Sequence, residues 1–315
     1  MTLQKAVADY VAFRKTLGER CKTNGHILQA FCRAMGETTL LEEVSPQSVS
    51  AFLAGTGPLT ASWHVRHSAL CGFYRYAQSR NLVTTSPMPL VIPKRPPAFQ
   101  PYIYSQEELR RLLEASASYQ RNRGQLDPRM VRILLLLLYG AALRVSEALS
   151  LTHADVDLDN AVLTIRDTKF FKSRLVPLGP TLTRQMREYA DWRNANGCSG
   201  NTEALFFASR NGQRVNLNTL QYNFQRIRVH AGLQRDGGPR CQPRMHDLRH
   251  TSAVHRLTWC YRQGGDVQRF LAQLSVYMGH ARLSDTQVYL SMTPELLQEA
   301  NLRFERYAIQ EGRHD

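Results

Sequence analysis

Residue patterning predicts a mainly α protein with a small antiparallel β-sheet (α+β), built as two domains. Apolar residues recur at helical spacing in several segments, SQEELRRLLEAS and Ile133 to Leu143 among them. One stretch, DVDLDNAVLTIRDTKFFKSRLVPLG, instead holds two short strand-like runs around a polar turn. Residues 86–101, SPMPLVIPKRPPAFQP, contain six prolines, which neither a helix nor a central strand accommodates. That stretch is read as an extended linker between domains.

Residues 1–85 read as a small helical domain. Val7, Tyr10, Val11 and Phe13 to Leu17 are spaced for one face of a first helix. Ser45-Pro46 supplies an N-cap and a proline at the first helical position for SPQSVSAFLAG, which stops at Gly55. Thr60 to Gln78 forms a longer helix carrying His64, Arg66, His67 and Arg75 among aromatics.

Residues 102–315 make the second domain. Ser105 and Glu108 are spaced for a capping box. The apolar helix that follows runs through Leu138, breaks at Gly140 and restarts towards Arg144 and Glu147, which three residues apart share a helix face. Ala161–Ile165 and Arg174–Leu178 are the predicted strands, with Lys169 and Lys172 in their turn. Beyond them the pattern is again helical. His246 and Arg249 open a helix after CQPR, and Ser284-Asp285 starts another with Tyr289 on its first turns. The last segment, PELLQEANLRFERYA, is amphipathic and is expected to dock on a neighbouring protomer.

Composition narrows the function classes. A 43% hydrophobic content excludes a disordered chain. The longest apolar run, Ile133 to Leu143, is 11 residues, too short to cross a bilayer. Asp9 interrupts the N-terminal segment early, against a signal peptide. A cytoplasmic protein without a membrane partner is expected. Six scattered cysteines with no CxxC pair argue against a disulfide framework or a zinc ribbon. The net charge of +14 divides as +6 over residues 1–98 and +8 over the rest, which points to a polyanion embraced by both domains. Six of the 40 basic residues are lysines, and beyond Lys94 only Lys169 and Lys172 remain. A lysine can give up a proton near neutral pH where an arginine cannot.

Arg144, His246, Arg249, His280 and Tyr289 form the candidate site. Guanidiniums neutralise phosphate oxygens with paired N–H donors, imidazoles exchange hydrogen bonds near neutral pH, and a phenol can attack phosphorus. Apolar flanks on both sides of Arg144 argue against an ordinary surface ion pair with Glu147. His246 and His250 have metal-ligand spacing, but no HExxH glutamate or third ligand accompanies them, so no metal is expected and His250 is read as packed or capping. Tyr289, one of 13 tyrosines, would alone be a core aromatic; its position nine residues after His280 singles it out.

ALRVSEALSL, TKFFKSRLVPLG, HDLRHTSA, MGH and Tyr289, in this order, give the chain a resemblance to the tyrosine recombinase (phage-integrase-like) family of site-specific DNA recombinases. The resemblance covers nearly the whole chain. It implies a helical core-binding domain, a linker and a catalytic domain. It makes Tyr289 the nucleophile, Arg144 and Arg249 the phosphate clamp, His246 and His280 their partners, Lys169 the general acid and Glu147 the support of Arg144. Lys172, Arg174, Lys94, Arg95 and Arg66 are the candidate DNA contacts. The implied reaction needs no cofactor. The implied partners are a double-stranded recombination site, further copies of the chain (a dimer on one site, a tetramer in synapsis) and an optional accessory DNA-binding protein. The rival readings are a type IB topoisomerase, a catalytically silent DNA-binding protein on the same scaffold, and a metal-dependent nuclease, the last disfavoured for want of a carboxylate cluster. The stretch from Arg249 to His280 is longer than the family pattern leads one to expect, leaving its helix arrangement open.

Overall fold

The computed structural model describes residues 1–19, 21–36, 38–96, 100–119, 124–166, 173–196 and 202–311. The chain divides into two compact units, Met1–Phe99 and Gln100–Asp315.

Among its described residues the first unit has four α-helices around one core: α1 (Leu3–Thr16), α2 (Lys22–Met35), α3 (Pro46–Ala54) and α4 (Ala61–Ser79). Leu3, Ala6, Val7 and Tyr10 turn inward from α1. Phe13 and Leu17 do not: Leu17 lies past the helix end, and Phe13 stacks on Tyr76 at the surface. The expected α1 face therefore runs only as far as Val11, which is partly buried against the same core. Ser45 caps α3, its hydroxyl accepting from the Ser48 N–H at 3.2 Å, an interaction worth about 1 kcal/mol. From α4, the Arg66 guanidinium donates to the carbonyls of Phe52 (3.2 Å) and Leu53 (3.5 Å). The last turn of α3 leaves such carbonyls without intrahelical partners, and a cation at that end also meets the negative pole of the helix dipole. Arg66, expected on DNA, thus caps α3 in this fold.

The second unit is built around α6 (Pro128–Gly140), which follows α5 (Gln106–Ser118). Ser105 and Glu108 form the expected capping box of α5: Ser105 Oγ accepts from the Glu108 N–H at 3.1 Å, and Glu108 Oε2 from the Ser105 N–H at 2.8 Å. Met130, Val131, Leu134, Leu135, Leu137 and Leu138 of α6 are all buried, because α5, α8 (Pro180–Ala195) and α10 (Met245–Arg262) each cover part of it. Between α6 and α8 lie α7 (Val145–Ala148) and the antiparallel sheet β1 (Val156–Asp157), β2 (Val162–Ile165), β3 (Arg174–Pro177), in that spatial order. Ile165 pairs with Arg174, and Leu163, Ile165 and Val176 point into the core. The β1 strand was not expected. Lys169 and Lys172 lie outside the described residues.

After α9 (Leu217–His230) and α10, the chain turns at Gly264-Gly265 into α11 (Val267–Met278), whose N-cap Asp266 accepts from the Arg269 N–H at 3.1 Å. The long Arg249-to-His280 segment is thus two regular helices and a tight turn. Then come α12 (Ser284–Gln287), a 3-10 turn at Val288–Ser291, and α13 (Pro294–Glu311). The start of α13 packs on its own domain: Leu296 is buried, and Arg262 of α10 pairs with Glu295 (2.5 Å) and Glu299 (2.8 Å). Among the described residues, no helix is long and apolar enough to cross a membrane.

Candidate active site

The site is assembled at the C-terminus of α11. Gly279 ends that helix in the left-handed conformation, φ +68°. Three successive main-chain carbonyls there each accept from a different arginine. Arg174 Nε donates to Tyr277 at 3.1 Å, Arg249 to Met278 at 2.7 Å and Arg144 to Gly279 at 3.2 Å. The last carbonyls of a helix lack intrahelical partners and carry its negative partial charge, so cations gather there.

Arg144 is held from both ends. It is the N-cap of α7 and not, as expected, on that helix's face, and Glu147 accepts from its backbone N–H (3.0 Å) and its guanidinium (2.7 Å). Glu147 also receives a two-pronged pair from Arg174, at 3.1 and 2.8 Å. Burial would raise the Glu147 carboxyl, but hydrogen bonds from Arg174 and Arg144 overcome it and bring it to about 2. Arg174 was expected at a DNA backbone. Its side chain is 10% exposed, and its donors face Glu147 and Tyr277, which makes it a strut beneath Arg144.

The start of α10 supplies Arg249 and His246. Asp247 fixes that end by accepting from the Arg244 N–H and guanidinium, each at 2.8 Å. Arg249 is 2% exposed; besides Met278 it donates to the Ala142 carbonyl. Burial first, then Arg144, bring its guanidinium down to about 10, so it stays charged at neutral pH. Burial and then Arg249 lower His246.

Tyr289 is 2% exposed on the 3-10 turn after α12. Burial raises its phenol, while Arg249 and Arg144 pull the other way. The His280 ring stacks beside it, centroids 6.2 Å apart, with Nδ1 2.7 Å from the buried Thr286 hydroxyl. Burial, Arg249 and Arg144 lower His280 to about 4. The phenol oxygen itself meets His250, whose Nδ1 lies 3.1 Å away. Burial and then His246 hold His250 down at about 4. Sequence reasoning had set His250 aside as a packed histidine, and it missed Thr286. The four-residue step from His246 to His250 was visible, but it was weighed as metal spacing. The two rings instead pack edge to face, 4.8 Å apart.

Of the five expected residues, His246, His280 and Tyr289 each lie within electrostatic reach of Arg249 and Arg144. Lys94 and Arg95, in the proline-rich stretch, are exposed. Fixed guanidiniums beside a buried phenol can hold a tetrahedral anion against a hydroxyl nucleophile.

The fold and this constellation define an arginine-lined tyrosine site on a helical scaffold. Residues 103–295 match the phage integrase family, and the chain belongs to that family. A Sinorhizobium fredii protein carrying the name integrase/recombinase y4rB is 34% identical over 308 residues, 97% of this chain and 98% of its own length. The tyrosine recombinase XerA of Thermococcus kodakarensis is 33% identical over 210 residues, 66% of this chain and 64% of its own. Among solved structures, a lambda integrase tetramer bound to a Holliday junction superposes with a TM-score of 0.66 at 19% identity, over 90% of this chain and 79% of that one.

Proposed function

We propose that this chain is a site-specific recombinase that cuts and rejoins DNA strands through a 3′-phosphotyrosyl intermediate, in the integration or resolution of a mobile element. The observation that carries the reading is the buried Tyr289 phenol within the field of Arg249 and Arg144. Three arginines against the single carboxylate of Glu147 leave about two positive charges without a side-chain counter-anion at the end of α11. A scissile phosphate is a fitting occupant.

In this mechanism Tyr289 attacks phosphorus, and the 5′-oxygen leaves with a proton from Lys169. Arg144 and Arg249 stabilise the charge that builds on the five-coordinate phosphorus. Removing one preorganised donor of this kind typically costs about 3 to 4 kcal/mol, or two to three decades of rate. With the Thr286 hydroxyl donating to Nδ1, His280 presents Nε2–H to a phosphate oxygen. The phosphotyrosyl ester keeps the energy of the broken bond, so rejoining needs no nucleotide cofactor. Assembly as a dimer on one site and a tetramer in synapsis fits the tetrameric lambda integrase on its junction. Tyr289 is covered in this fold, so the scissile phosphate reaches Oη only where the surrounding groups make room for it.

The test uses a pool of random-sequence duplexes, each nicked near a central position. Denaturing gels after incubation with the wild-type chain should show a protein–DNA adduct that Tyr289→Phe cannot form. Adduct formation by Tyr289→Phe, or none by the wild type, refutes the reading. Plasmids carrying two copies of the captured sequence then separate recombination from simple relaxation.

A further inference from the structure

We propose that His250 is the catalytic base that takes the phenolic proton of Tyr289. The inference rests on the reading of Tyr289 as nucleophile and goes beyond it, because the family pattern names His246 and His280 and gives His250 no role. Two imidazoles, His250 and His280, flank the phenol ring, and a third, His246, packs on His250. His280 Nδ1 is 2.7 Å from Thr286 Oγ1. His246 packs against the His250 ring. His250 Nδ1 is 3.1 Å from Tyr289 Oη, and among the described residues no other side chain is hydrogen-bonded to that oxygen.

The helix explains the division of labour. Successive residues on an α-helix point about 100° apart. Arg249 therefore reaches Ala142 and Met278 while its neighbour His250 turns to Tyr289. One turn of α10 thus supplies both a cation for the phosphate and an acceptor for the proton that attack must release.

The chemistry balances. The Tyr289 Oη–phosphorus bond forms and the phosphorus–O5′ bond breaks. The phenolic proton moves to Nδ1 of His250, giving an imidazolium with its other proton on Nε2. The electron pair of the broken bond stays on the 5′-oxygen, which takes its proton from Lys169. In the rejoining step the 5′-hydroxyl attacks, Tyr289 leaves, and His250 returns the proton to Oη. Burial keeps the phenol protonated and the imidazole neutral in the resting site, so an acceptor nitrogen is available there. Transfer is uphill until Oη begins to bond to phosphorus, which acidifies its proton. The phosphate's own negative charge favours the imidazolium.

The test uses a nicked duplex captured by the wild-type chain. His250→Gln should bind it with unchanged affinity yet form the adduct about 10²- to 10³-fold more slowly, the usual weight of a general base. Imidazole in the buffer should restore His250→Ala. Replacing Tyr289 by a fluorinated tyrosine of lower phenol pKa should restore His250→Gln, since a more acidic nucleophile needs less help. Wild-type rates in His250→Gln overturn the inference and leave the phosphotyrosyl reading standing. Slow His250 variants that neither imidazole nor the fluorinated tyrosine restores reduce His250 to a structural part. No adduct from the wild type, or an adduct from Tyr289→Phe, removes the reading beneath it.

Discussion

Gly279 and Arg174 pack so closely that a methyl group on the glycine would lie 2.7 Å from one guanidinium nitrogen and 2.8 Å from the central carbon. The glycine of MGH is thus required twice, by its positive φ and by the arginine against its Cα. Gly279→Ala should lose about 2 kcal/mol of stability, from left-handed strain and from a displaced Arg174. It should also slow adduct formation, because Arg174 anchors Glu147 and Glu147 anchors Arg144. Thermal melting and the gel assay check both halves, and a wild-type melting curve would contradict the first.

Glu147 joins two cations, and Arg174 is almost wholly buried. Glu147→Ala leaves that guanidinium without its counter-charge and should destabilise by about 3 kcal/mol. Arg174→Met in the same chain should recover part of the loss, since the orphaned charge goes with it. A double-mutant cycle in urea measures this; strictly additive losses would deny the coupling.

Arg144 keeps a third of its side chain exposed, the open side of the clamp. In Arg144→Lys an ammonium cannot hold both Glu147 and a phosphate with paired donors. Adduct formation should fall by about two to three decades with DNA binding largely kept. Near-normal cleavage would take Arg144 out of the reaction.

How much of this was legible in the sequence follows from what sequence strings encode. Capping at Ser45 and Ser105, the buried α6 and the β2–β3 hairpin rest on residues within a few positions of one another. The five site residues were legible because each sits in a short recognisable string. The three carbonyls were not, since Arg144 and Gly279 are 135 residues apart and a carbonyl acceptor has no letter of its own. His250 was hidden for a similar reason: its partner lies 39 residues on, across a turn whose path no periodicity reveals. Arginine looks alike in sequence whether it meets a phosphate or a helix end, and Arg66 and Arg174 both donate to helix-end carbonyls here.

Covered as it is, Tyr289 should resist nitration by tetranitromethane in the DNA-free chain, while Tyr222, 61% exposed, reacts. Its raised pKa acts in the same direction, because the phenolate is the reactive form. Peptide mass spectrometry locates the modified rings. Rapid nitration of Tyr289 would show that its turn opens without DNA.

Acid stability should fall in two separate windows. His250 and His280 have folded values of about 4, below the unfolded value of about 6.5. Between those values the unfolded chain binds protons that the folded chain refuses, so stability falls as pH drops from about 6.5 to about 4. Glu147 titrates lower, at about 2 against an unfolded value near 4.3, so its contribution holds until the pH drops below that unfolded value and is then lost. Urea midpoints at pH 7 and pH 4.5 should differ, and His280→Asn should shrink the difference. Equal midpoints in the unaltered chain would place both rings in water.

The anchors of the three arginines on α11 are peptide oxygens, and a peptide oxygen is indifferent to the side chain beside it. Exchanges at positions 277 and 278 that keep the packing there therefore leave the cationic cradle in place. A single inserted residue just before Gly279 would do far more damage than any exchange of letters, for it would swing the oxygens about 100° around the helix axis and scatter the three guanidiniums together.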